Sequence, residues 1–131
     1  MNKRTIALII ALIIFVVGGA LAIALIGGQT AANACKSASK PTHYTVTIQG
    51  GKVSNNALTA QKCDTLTITN EDSAIREVAF GPHDHHVAYD GIEERIIHQN
   101  ESVTVTLIKA GTFHWHDHIH DEVEGNFTVT Q

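Results

Sequence analysis

A chain of 131 residues, 44% of them hydrophobic, with a formal net charge of −4, has room for one small domain beside a separate apolar segment. Its two cysteines are too few for a disulfide-dense scaffold. Beyond residue 28, thirteen acids face seven basic residues, a balance that excludes nucleic acid and anionic lipid surfaces as partners of that part and favours a cation.

Met1-Asn2-Lys3-Arg4 is a short basic start, and Thr5 to Gly28 carries no charge. A helix crosses a bilayer with about 20 apolar residues, so residues 1–28 are expected to form an N-terminal anchor with one transmembrane helix. The only nearby basic residues precede it, which puts the N-terminus in the cytoplasm and the rest of the chain outside. Cleaved signals have shorter apolar regions, roughly 7–15 residues, but Ala32-Asn33-Ala34 has the small-x-small form of a cleavage site. The expected location is therefore the cell membrane, single-pass, with the C-terminal domain outside; secretion after cleavage near Ala34 is the alternative. Residues 29–41 read as a linker rich in Ala, Ser and Lys. Cys35 in this linker and Cys63 beyond it are expected to pair, as two cysteines of an exported chain usually do. Free thiols, or lipid on Cys35, are the alternatives.

Residues 42–131 alternate like an antiparallel β protein. Expected strands are Tyr44–Gln49, Asp64–Thr69, Glu77–Phe80, Ser102–Ile108, Thr112–His116 and Gly125–Thr130, divided by turn residues such as Gly50-Gly51 and Gly81-Pro82. Short strands of period two without an amphipathic helix indicate an all-β sandwich or small barrel. Glu93-Glu94 and Asp121-Glu122-Glu124 read as solvated loop acids, and Trp115 as a core residue.

Seven of the nine histidines fall in two runs, Pro82-His83-Asp84-His85-His86 and His114-Trp115-His116-Asp117-His118-Ile119-His120. At every second position of an extended strand, His114, His116, His118 and His120 are expected on one face. Packing does not call for this, whereas neutral imidazole is the commonest ligand for copper and zinc. The expected ligands are His83, His86, His116 and His118, with His85, His114, His120 and Asp117 in reserve. Asp117 is expected mainly to orient an imidazole. His43 and His98 are isolated and read as ordinary surface histidines. No nucleophile triad, phosphate loop or carboxylate pair supports a hydrolase, and no catalytic residue is assigned.

Asp64-Thr65-Leu66-Thr67-Ile68-Thr69-Asn70, Glu101-Ser102-Val103-Thr104-Val105-Thr106-Leu107, Ala110-Gly111-Thr112-Phe113 and Gly125-Asn126-Phe127-Thr128-Val129 occur in cupredoxin order. The chain resembles that family over nearly all of residues 44–130. The resemblance implies a Greek-key β-sandwich with metal ligands in loops at one end, and copper as the metal. A blue copper site takes a Cys thiolate, two His and a weak axial ligand. Here the matching positions hold Asp117 for the thiolate, Arg76 for the first histidine and Val123 for the axial Met, with His120 available for the second histidine. Gly111-Thr112-Phe113-His114-Trp115-His116-Asp117-His118 is also similar to the Gly-Thr-x-Trp-Tyr-His-x-His of multicopper oxidases, whose histidines both bind copper. Their oxidase chemistry needs histidines from several domains and is not carried over. The expected function is extracytoplasmic copper binding, buffering or transfer at a histidine site without a thiolate. A copper-donor or redox protein is the expected class of partner. A redox protein with an all-nitrogen copper centre, or a zinc-binding or metal-free adhesion domain, are the alternatives.

Overall fold

The computed structural model describes residues 35–36 and 40–131. The expected membrane span at 5–28 and most of the linker lie outside the described residues. Among the described residues there are nine strands and no helix.

Four strands make one sheet: β1 (His43–Gln49), β2 (Lys52–Val53), β4 (Thr65–Asn70) and β7 (Ser102–Thr106), in the order β2-β1-β4-β7. The second holds β3 (Ala57–Gln61), β5 (Arg76–Phe80), β6 (Glu94–Ile97), β8 (Gly111–Asp117) and β9 (Glu124–Thr130), in the order β3-β9-β8-β5-β6. The chain changes sheet at most connections, which makes β1–β4 and β3–β9 parallel neighbours in otherwise antiparallel sheets. The expected all-β sandwich is present.

Alternation in the sequence explains the layering. In β4, Leu66 and Ile68 point inward while Thr67 and Thr69 face solvent and bond Thr104 and Ser102 of β7, both at 2.9 Å. Val46, Ile48, Val103, Val105, Val78, Phe80, Trp115, Phe127 and Val129 complete one core between the sheets. Each such side chain contributes roughly 1.5–3 kcal/mol on burial. Trp115 packs flat over Gly125, where a Cβ would lie 2.7 Å from the indole nitrogen, so only glycine fits opposite it. Cys35 and Cys63 form a disulfide with Cα atoms 5.4 Å apart, as expected. Closing this loop stabilises the fold by about 3 kcal/mol.

Three strands differ from expectation. β2 has two residues, β3 alternates in burial but is built on alanines with weak strand preference, and β6 buries only Ile97, so none gives a strong strand signal in the sequence. The fifth expected strand, Thr112–His116, is β8 and ends at Asp117. His118 and His120 therefore lie beyond it, and the four alternating histidines do not share one strand face.

Candidate metal centre

Register fixes the site. In the five-stranded sheet Glu94 pairs with Ala79, Ala79 with His116, and His116 with Glu124. Residues paired across a sheet share a face, so these four form a row. Trp115 and Phe80 point into the core, so this row is on the opposite, outer face. Ala79 offers only a methyl between Glu94 and His116, which leaves space there for imidazole rings.

The segment after β5 covers that space. Gly81 adopts φ +91°, and a Cβ on it would lie 2.7 Å from the Val87 amide nitrogen. The Gly81 N–H donates to His114 O (2.9 Å) and the Val87 N–H to Phe80 O (2.8 Å), folding the segment back over β8. Tyr89 anchors its far end in the core, against Phe113 (4.6 Å) and Phe127 (5.0 Å). An apolar recess lined by Phe80, Pro82, Tyr89, Lys109 and Phe113 adjoins the cluster at His114.

His83 and His86 thereby meet the β8 histidines. Ring centroids lie 5.3 Å apart for His83–His116 and His86–His116, 4.8 Å for His83–His118 and 4.7 Å for His86–His118. His114 stacks on His116 at 5.6 Å. The four expected ligands are thus brought together, with His114 beside them. His116 is at the centre, 1% exposed, and neither of its ring nitrogens has a hydrogen-bond partner. A buried polar group left unpaired costs about 1–3 kcal/mol. Burial, and then repulsion from His114, His86 and His83, lowers its pKa below the usual imidazole value, so it is held neutral and able to ligate.

The donor atoms form two groups, each within 4.8 Å of one another: His83, His116 and His118; and His86, Glu94 and His118. Glu94, expected to be a solvated loop acid, instead opens β6. Its Oε2 lies 3.3 Å from His86 Nδ1 and 3.8 Å from His118 Nδ1. His118 Nδ1 and His86 Nε2 are 3.0 Å apart. Glu77 has a raised pKa, chiefly through a hydrogen bond with Glu94, so a second carboxyl group stands behind the first. Finding Glu94 from sequence required the β5–β6 pairing, which only the two isoleucines Ile96 and Ile97 hinted at.

The other candidates lie elsewhere. His85 is exposed, as is His120, whose Nδ1 is 3.9 Å from Glu122. His43 is on the surface, bonded to Thr65, and His98 is exposed. His114 Nε2 is 3.4 Å from Glu124, so that acid too is part of the surround.

Asp117 orients no imidazole. It points inward, fully buried, and accepts hydrogen bonds from Arg76 Nη1 (2.9 Å) and from the amides of Glu77 and Ile119 (both 3.1 Å). Arg76 also bonds Asp72 at 2.6 Å. The positions matching a thiolate and a first histidine are therefore joined to each other as an ion pair inside the sandwich. The imidazole cluster sits on the other side of β8. Val123 is in the apolar core and both cysteines are in the disulfide. The donor set here is nitrogen and carboxylate oxygen, which fits Cu(II) or Zn(II) and does not fit a blue copper centre.

A family model described as a cupredoxin-like domain matches residues 18–129. Among solved structures, a reduced Cu(I) form of an amicyanin variant at pH 4 is 21% identical, with a TM-score of 0.57 over 74% of this chain and 89% of that one. A second reduced amicyanin variant gives a TM-score of 0.58 at 21% identity over the same shares. An oxidized variant gives 0.57 at 20% identity, over 72% of this chain and 87% of that one. At this identity the likeness is one of fold. No curated protein sequence matches the chain.

Proposed function

Since the chain belongs to the cupredoxin-like domain family, we propose that it is an extracytoplasmic copper-handling protein, taking up, buffering or passing on copper at a thiolate-free histidine site. His83, His86, His116 and His118 hold the ion, with zinc as the competing cargo. The observation that carries this reading is His116: buried, with a lowered pKa, both ring nitrogens unpartnered, and ringed by four further imidazoles. A cation satisfies that imidazole and stops the rings repelling one another when protonated. The site's place supports cargo handling over long-range electron transfer, since it is on the outer sheet face, under one segment, with His83 exposed. The charge-free stretch Thr5–Gly28 serves in this reading as the membrane anchor, with the domain outside.

Alanine at His116 or at His118 is expected to weaken Cu(II) binding by at least about tenfold, roughly 1.4 kcal/mol, while alanine at His43 or His98 leaves it unchanged. Direct titration with Cu(II) measures this. Parental affinity in both His116→Ala and His118→Ala would place the site elsewhere.

A further inference from the structure

The two donor groups share His118 and differ in chemistry. The inner one, with His83 and His116, is all imidazole and contains the buried ring. The outer one, with His86, ends on Glu94, whose side chain is 36% exposed. β6 is the edge strand of its sheet, so Glu94 stands at a border that solvent or another molecule can reach. A metal–nitrogen bond of about 2 Å sets donors on opposite sides of one ion about 4 Å apart, which the spread of each group can meet with small side-chain shifts.

We propose that copper occupies two overlapping positions, resting at His83–His116–His118 and entering and leaving through His86–Glu94–His118. This rests on the copper reading above. The passage is a ligand exchange at unchanged oxidation state. His118 keeps hold of the ion while the nitrogens of His83 and His116 are replaced by a nitrogen of His86 and a carboxylate oxygen of Glu94. Nitrogen-rich surroundings suit copper better than a carboxylate does, so the inner position is the tighter one. The outer position gains from its carboxyl groups: Glu94 supplies the oxygen donor, and Glu77, two residues before the β5 partner of Glu94, Ala79, stands on the same sheet face. His86 and His118 are the imidazoles facing that pair. A port of this kind lets the inner ligands stay under their covering segment during transfer.

The test uses the 131-residue chain loaded with one equivalent of Cu(II), from which an anionic chelator withdraws the metal in a stopped-flow measurement. Glu94→Gln should leave the equilibrium affinity within about threefold and slow withdrawal at least about tenfold, because it removes the outer position's carboxylate and little of the inner one. Loss of a negative charge alone would speed the approach of an anionic chelator, so the direction of the change separates a port from a surface-charge effect. Glu94→Asp, which keeps the carboxylate, should recover most of the rate. Parental or faster withdrawal from Glu94→Gln overturns the port. A tenfold loss of affinity in that variant overturns it as well, by making Glu94 a ligand of a single site. Normal copper binding with either result leaves the copper reading standing, whereas a parent that binds no Cu(II) removes both.

Discussion

His116 shows how one side chain links fold and function. Its backbone is an ordinary strand residue paired with Ala79 and Glu124. Its ring, however, is buried among His83, His86, His114 and His118, with Glu94 beyond His86 and His118. Burial, and then His114, His86 and His83, lower its pKa from the ordinary 6.5. The unfolded chain therefore binds a proton at this site at a higher pH than the folded chain does. Stability from this group is fully present above about pH 6.5 and is lost as pH falls from there toward the lower folded value. The metal-free chain should lose thermal stability across that window. His116→Gln, which cannot titrate, should show a shallower loss in the same scan. A variant that tracks the parent throughout would mean that His116 is not the group responsible. The histidine spacing made this residue legible from the sequence, since nothing in strand packing asks for imidazoles at alternate positions. Glu94 was not legible, because it reaches the cluster only through a pairing of two strands.

Between elements, the buried ion pair is the main polar tie. Arg76 begins β5, Asp117 ends β8, and Asp72 comes from the turn after β4, so one guanidinium joins both sheets. Asp72 has a lowered pKa through bonds from Gly51, Arg76 and Gly50, which outweigh its burial. Removing one partner of a buried pair leaves the other charge uncompensated, at a cost of about 3–5 kcal/mol. Asp117→Ala should lose stability on that scale in denaturant titration while keeping the histidine cluster, which lies on the opposite side of β8. A loss below about 1 kcal/mol would show that the pair behaves like an exposed one. Most strands were legible because they bury one face and alternate, as β4, β7 and β9 do. β3 escaped because alanine has weak strand preference, and β6 because it buries only Ile97. The expected single face of four histidines failed for a different reason. The paired register between β8 and β5 ends at Asp117; the His118 N–H still bonds Glu77 O, and beyond it the chain turns, with the His120 N–H bonding back to Asp117 O and the Val123 N–H to His120 O.

At the scale of the whole molecule, a cupredoxin-like sandwich is combined with a different set of donor groups. The interior positions that a thiolate and its histidine would fill hold Asp117 and Arg76, bound to each other. The cysteines that do occur are spent on the disulfide between Cys35 and Cys63. The histidines gather instead on the outer face of the five-stranded sheet, where Ala79 leaves room and the segment from Gly81 closes over them. The family was legible from the order of its strand motifs, and the missing thiolate from composition. That the cluster lies on the side of β8 away from Trp115 was legible from the alternation, whereas the burial of Asp117 against Arg76 was not, because it depends on the pairing of β5 with β8. The measurement that bears most directly on this account is electron paramagnetic resonance of the copper-loaded chain together with its visible spectrum. A Cu(II) signal split by several nitrogens, with only weak visible absorption, is the predicted result. An intense blue charge-transfer band would require a thiolate ligand and contradict it, as would a signal without nitrogen coupling.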